Sequence, residues 1–326
     1  MTEEIKELSQ KEEDSLFKFV SDNDMRNSEK IIAPRYSYWK SVFRVFFKKK
    51  INIVMIAILL LIILVSYIVP LFCPYDMLEN VTNATTYNLP PKVAMKTFSD
   101  NSMKYILGTG PMGNSILYGI ISSARTSLTL AVICAAINMT VGLLAGAIWG
   151  YSKKVDAVML VIYNIIANVP YILLITVVVY VVGSGFWPLV FALTITGWLS
   201  IAYFFRTQVM VIRDREYSLA SRCLGTPVPR IITKNILPFL TSVIVTVLAT
   251  ELPSYISMEV FLSFIGVGLS ASVPSLGRMI QQAQTAFLTY PWEFWPPVAI
   301  ASAITIILYV LGQNLADASD PRTHMM

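Results

Sequence analysis

AVMLVIYNIIANVPYILLITVVVYVVGSGFWPLVFALTITGWLSIAYFF, residues 157–205, contains no Asp, Glu, Lys, Arg or His. A helix in a soluble protein keeps a polar face toward water, and this run offers none. One crossing of a bilayer takes roughly 20 residues. The run is too long for a single crossing and reads as a helical hairpin, with Gly183-Ser184-Gly185 and Pro188 marking its turn. The spacing predicts spans at 157–182 and 188–205. Working outward, residues 51–72, 127–151 and 294–315 are also uncharged, and 239–266 carries only Glu251 and Glu259. The chain is 55% hydrophobic and 14% charged, against about 25% charged in soluble domains. These runs specify an all-α polytopic membrane protein of six transmembrane helices.

Six crossings leave both termini on one side, and the basic residues choose it. Lys48, Lys49, Lys50, Lys153, Lys154, Arg206, Arg213, Arg215, Arg222, Arg230, Lys234 and Arg322 fall on the side of the termini, while Lys92, Lys96, Lys104, Arg125 and Arg278 lie opposite. The positive-inside rule places both termini in the cytoplasm. The expected organisation is a cytoplasmic tail over 1–35, an interfacial helix over 36–50, a first span over 51–72 and an extracellular loop over 73–122. The five remaining spans fill 123–316, with a cytoplasmic insert at 206–236 and an outer segment at 271–293, and 317–326 form a cytoplasmic tail. YSYWKSVFRVFFKKK, residues 36–50, interleaves aromatic and basic residues as an interfacial amphipathic helix does.

No site for chemistry is visible. The phosphate-cradling G-x-x-x-x-G-K-[ST] loop is absent, as are a nucleophile elbow and a His/Cys/acid cluster with metal spacing. His324 is the sole histidine, and Cys73, Cys134 and Cys223 are spread too widely in depth to pair. The net charge of +5 sits at membrane edges rather than on a nucleic-acid surface. Energy for active transport must then come from another subunit or an ion gradient. Ionisable groups within spans are the candidates for a polar path. Glu251, near the middle of its span, and Glu259, toward the outer end, are eight residues apart and share roughly one helix face; a polar path and a buried, bonded carboxyl account equally for Glu251, and the structural role suits Glu259 better. Asn138, Asn164 and Asn168 fit interhelical hydrogen bonds, and Gly142 with Gly146 forms a G-x-x-x-G suited to close helix packing.

The polar insert holds EYSLASRCLGTPVPRIITKNILP, residues 216–238: a short helix, a glycine, then an amphipathic stretch ending at proline. Such an element suits docking to a partner protein. Leu219-Ala220-Ser221, then Gly225, then Leu237-Pro238 resemble the cytoplasmic loop of ABC importer permeases, whose pattern is E-A-A, three residues, Gly, a fixed gap and Leu-Pro. Leu107-Gly108-Thr109, Gly113, Ala124-Arg125 and Ser127-Leu128 look like the segment before the second span in the C-type subunit of oligopeptide and dipeptide permeases. LSFIGVGL at 262–269, PSLG at 274–277 and NLADASDPR at 314–322 look like that subunit's outer loop and ending. The chain departs from the pattern where Leu219 stands for the acid, with Glu216 three residues earlier as the expected substitute, and at Gly110, Asn114 and Ser115 before the second span.

The resemblance implies the type I ABC importer permease fold in the cell membrane of a Gram-positive bacterium. It implies a second homologous permease subunit, two cytoplasmic ATPase subunits that bind ATP and Mg, and an extracellular lipoprotein that delivers peptide. The chain itself would hold no cofactor or metal and catalyse nothing. Glu216, Tyr217, Ala220, Ser221, Arg222, Gly225, Thr226 and Pro227 would couple to the ATPase, and Glu251 and Glu259 would lie along the path. A nickel or other small-solute importer, an ion-driven carrier using Glu251, and a non-transporting scaffold are the rival readings.

Overall fold

The computed structural model of the chain describes residues 37–320; the tail 1–35, Tyr36, Arg322 and His324 lie outside the described residues. Contacts group the chain as Met1–Ser41 and Val42–Met326. Of the first group, residues 37–41 are described, and they supply the opening turn of helix α1, Tyr38–Lys48. The second group holds the core, and its regular secondary structure among the described residues is helical, apart from one isolated bridge between Thr109 and Ser115.

The elements follow in order as α2 Lys50–Phe72, α3 Pro91–Thr97, α4 Ile116–Tyr151, α5 Lys153–Ala167, α6 Tyr171–Val182, α7 Phe186–Ile195, α8 Gly197–Arg213, α9 Glu216–Cys223, α10 Thr241–Phe264, α11 Leu276–Ala283 and α12 Pro291–Ser319. Five stretches are long and apolar enough to cross a membrane: Lys50–Phe72, Ile116–Tyr151, Phe186–Arg213, Val228–Phe264 and Pro291–Ser319. The pair α5 and α6, bent by 82° at their junction, makes a sixth where the two halves count as one broken span.

That bend corrects the single span expected over 157–182. Pro170 lacks the N–H that a continuous helix needs and disfavours helical backbone at Val169, so α5 ends at Ala167 and Pro170 caps α6. Pro188 breaks nothing, because it sits in the first turn of α7, where backbone N–H groups have no helical partner. Helix α4 starts at Ile116, well before the expected Ser127, because Ser115 caps it by accepting from Tyr118 N at 3.3 Å. Helix α8 runs on to Arg213, so residues 206–213 belong to a span rather than to the polar insert.

The largest helix contact joins α4 to α8. Gly142, Gly146 and Gly150 line it. A Cβ at Gly146 would stand 2.5 Å from the carbonyl oxygen of Ala202, and one at Gly150 2.5 Å from that of Arg206. Backbone meets backbone there, the role expected of a small-xxx-small pattern. Helices α10 and α12 approach the same way at Gly312, where a Cβ would lie 2.6 Å from Ala249 O. Helix α2 keeps Leu60, Leu61, Leu64 and Leu71 exposed, as a lipid-facing span would. Its foot is tied to α12: Asn314 Nδ2 donates to Asn52 Oδ1 at 2.7 Å, Lys49 Nζ donates to Asn314 Oδ1 at 2.7 Å, and Asn52 Nδ2 donates to Phe46 O at 2.8 Å.

The 73–115 segment is folded. The Thr109 hydroxyl accepts from Leu89 N at 2.8 Å and donates to Thr86 O at 2.7 Å, while Asn80 Nδ2 donates to Gly113 O at 2.9 Å. Lys104 pairs with Glu79 across it.

Candidate functional site

The polar insert is two legs joined at a glycine. The first leg, α9, places acidic Glu216 in its first turn and basic Arg222 in its last, each favourable to the helix dipole. Gly225, at φ 76°, closes it. Thr226 N donates to Ser221 O at 3.1 Å and Gly225 N to Arg222 O at 3.0 Å, the paired bonds of a Schellman ending. Pro227 then turns the chain into the second leg, which passes through a π-helical segment, Ile231–Ile236, and a 3-10 turn, Leu237–Leu240.

The second leg is fixed to the bundle. Ile231, Ile236 and Leu240 are buried with Met139 and Ala147 of α4 and Phe205, Val209 and Ile212 of α8. Each such side chain contributes roughly 1.5–3 kcal/mol when taken from water. The first leg is tied to the second: Asn235 Nδ2 donates to Ser221 Oγ at 2.6 Å, and Tyr217 stacks on Phe239 at 5.1 Å. Ser218 is buried beneath α9.

Tyr217, Ser221 and Thr226, three of the residues read as coupling positions, are thus half-buried and hold the insert together. Glu216, Ala220, Arg222, Gly225 and Pro227 are exposed. Leu219, Leu224 and Val228 are exposed too, Leu224 by 85%. The motif comparison took Leu219 and Leu224 as positions in a pattern and did not read their exposure, although three large aliphatics on an otherwise polar loop are a signal in themselves. Glu216 and Leu219 lie three residues apart on one exposed face of α9.

Beneath the insert, the ends of α4, α5 and α8 are locked by charge. Arg206 grips Asp156 with Nε and Nη2, the latter at 2.9 Å, and Trp149 Nε1 donates to the same carboxylate at 2.8 Å. Arg213 donates to Gly150 O at 2.9 Å and pairs with Asp214. The Arg213 guanidinium holds the Asp214 carboxyl below the usual carboxylate range.

Inside the spans, the two acidic candidates part company. Glu259 has no exposed surface; Ser127 Oγ donates to it at 2.6 Å and Ser263 Oγ at 2.9 Å. Glu251 lines a cavity of about 420 Å³ between the α5–α6 bend, the α7–α8 junction and α10. Asn138 Nδ2 donates across helices to Tyr255 Oη at 2.6 Å and to Leu193 O at 3.2 Å. Asn168 instead donates back to Asn164 O within its own helix end.

Residues 138–325 match the family of binding-protein-dependent transport system inner membrane components. The chain belongs to that family of transport permeases. Residues 37–91 match the N-terminal transmembrane domain of oligopeptide transport permease C. The permease is 46% identical over 315 residues to the oligopeptide transport system permease protein AmiD of Streptococcus pneumoniae, covering 94% of this chain and 97% of that protein. It is 31% identical to the oligopeptide permease OppC of Bacillus subtilis, over 91% of this chain and 93% of that one. To the dipeptide permease DppC of the same organism it is 30% identical, over 91% and 90%.

Proposed function

We propose that this permease is the C-type transmembrane subunit of an ATP-driven importer of oligopeptides in a Gram-positive cell membrane. The observation that carries the mechanism is the two-legged insert. One leg is packed among the ends of α4 and α8; the other presents Glu216, Leu219, Leu224 and Val228 outward. An ATPase subunit gripping the exposed leg would move the buried leg with it, because Asn235–Ser221 and Tyr217–Phe239 leave little slack between them. Helices α4 and α8, joined backbone to backbone at Gly146, would tilt as one body. Closure of an ATPase pair on ATP thereby switches the pathway between its two faces.

On this reading the insert and both termini are cytoplasmic, and the 73–115 segment faces outward toward a peptide-delivering lipoprotein. A second permease subunit completes the pathway. The exposed apolar residues of α9 suit a helix-in-groove contact with the ATPase, and Glu216 supplies the acid missing at Leu219. Relatives named as oligopeptide and dipeptide permeases support peptide as the cargo. The test is copurification from native membranes followed by reconstitution. Two ATPase subunits, a second permease and a peptide-binding lipoprotein, with ATP-dependent peptide uptake, are the expected result. A metal-binding receptor in place of the peptide-binding one would overturn the cargo.

A further inference from the structure

Glu251 is a carboxylate in a span without a countercharge. The ion pairs among the described residues are Lys104–Glu79, Arg206–Asp156 and Arg213–Asp214. The hydroxyl of Tyr255, one helical turn on, is the polar neighbour within reach of the Glu251 carboxylate. That hydroxyl already accepts from Asn138 at 2.6 Å, so its own proton is free to point at Glu251. One neutral donor orients a carboxylate but does not neutralise it. Glu259, eight residues on, shows how the same helix buries an acid for structure alone: two serine hydroxyls close on it and leave no space. Glu251 has space.

That space has the size of a ligand site. Its volume of about 420 Å³ lies within the roughly 300–1,000 Å³ of small-ligand sites. Ile166 and Ala167 at the end of α5, Pro170 and Tyr171 at the start of α6, and Gly197 at the start of α8 all line it, so one negative and two positive helix ends meet there and the helix dipoles do not set its sign. Thr196 at the α7–α8 junction also lines it, and its Oγ1 is buried without a hydrogen-bond partner. Leu174 and Met258 supply apolar wall. Membrane helices broken at mid-span place their charged ends at ligand sites. The 82° break between α5 and α6 gives this cavity one end of each sign, so the group that selects is the Glu251 carboxylate. Set beside apolar wall without an ion-pair partner, it repels a carboxylate and attracts an ammonium group, from which the Thr196 hydroxyl can also accept.

Resting on the peptide-importer reading, we propose that Glu251 receives the ammonium group of a peptide in transit, with Tyr255 positioning the carboxylate. The group is the amino terminus or a lysine side chain, and the peptides used distinguish them. The assay is uptake by the complete transporter, with its receptor saturated, for trialanine, N-acetyl-trialanine and an N-acetylated peptide carrying lysine. E251Q should lower the maximal rate for trialanine about tenfold more than for its acetylated form, and E251D should preserve the wild-type ratio. An advantage that lysine restores, and that also depends on Glu251, marks the side-chain ammonium as the group read. A second readout does not depend on uptake. Tripeptides bearing a photoreactive first or last residue are crosslinked in the wild-type complex and in E251Q. Crosslinks to 163–174 or 251–258 from the first-residue probe, lost in E251Q, are expected. Equal effects of E251Q on all peptides, or crosslinks indifferent to Glu251, would overturn the proposal while wild-type peptide uptake leaves the importer reading standing. No peptide uptake by the wild-type complex would overturn both.

Discussion

Replacing Gly225 isolates a backbone effect from a side-chain one. Its φ is 76°, and a Cβ built there meets nothing within 4 Å. A substitution therefore causes no clash; the cost is the left-handed conformation itself, about 1–2 kcal/mol for an ordinary L residue. Asn tolerates that region best after Gly, and a β-branched residue tolerates it worst. At 1–2 kcal/mol, Gly225→Ala shifts the balance between the closed Schellman ending and a frayed one by roughly 5- to 30-fold. Fraying releases the Thr226–Ser221 and Gly225–Arg222 bonds and loosens the joint between the gripped leg and the packed one. The assay is receptor-stimulated ATP hydrolysis and peptide uptake by the reconstituted complex, with the membrane abundance of each variant measured alongside. Uptake per complex should fall in the order Gly, Asn, Ala, Val, with ATP hydrolysis falling less than uptake as coupling slips. If Gly225→Val transported normally at normal abundance, the joint would have no coupling role. If Asn were as damaging as Val, the backbone argument would be wrong.

Other substitutions probe the frame that the joint moves. Asp156→Ala leaves Arg206 and the Trp149 indole N–H without their shared acceptor, and should cost about 1–2 kcal/mol for a half-buried pair, read as a lower Tm of the purified protein in detergent; an unchanged Tm would count against the lock. Gly146→Val forces α4 and α8 apart at a point where even a Cβ falls 2.5 Å from Ala202 O, and should abolish accumulation of folded protein, whereas Gly183→Ala, with nothing within 4 Å, costs only its backbone strain. Glu259→Gln disturbs the bonds from Ser127 and Ser263 and should lower stability by roughly 1–3 kcal/mol without altering which peptides are transported; a change in substrate range at unchanged Tm would place Glu259 on the path.

The spans were legible because lipid imposes its composition on every residue it touches: the charge-free run 157–205 could be nothing soluble. The stop at Gly225 was legible because one residue type suits a left-handed helix end. The break at Pro170 was missed although the proline was in view, because Gly183-Ser184-Gly185 satisfied the need for a turn and hydropathy does not change across a bend within the membrane. The start of α4 was missed because Arg125 and four hydroxyl residues between 115 and 126 look like loop, and only the Ser115 cap marks the true beginning. Depth in the span already set Glu259 apart from Glu251, but the partners that bury it were beyond the sequence. Helical spacing puts both on roughly one face, but the serines that close over Glu259 come partly from α4, 132 residues away. Leu219 drew notice as a missing acid, yet its exposure belongs to an apolar patch that motif matching does not score.

The tie between Asn52 and Asn314 joins residues 262 positions apart. A ribosome delivers Asn52 ahead of Asn314 by those 262 residues. Through most of that interval α2 stands in the membrane with the Asn52 side chain lacking the partner it has in the finished protein. The latch therefore cannot close until α12 is nearly complete, so α12 decides when the foot of α2 is fixed. A product truncated just short of Asn314 leaves Asn52 Oδ1 without this donor, while Asn52 Nδ2 keeps its bond to Phe46 O.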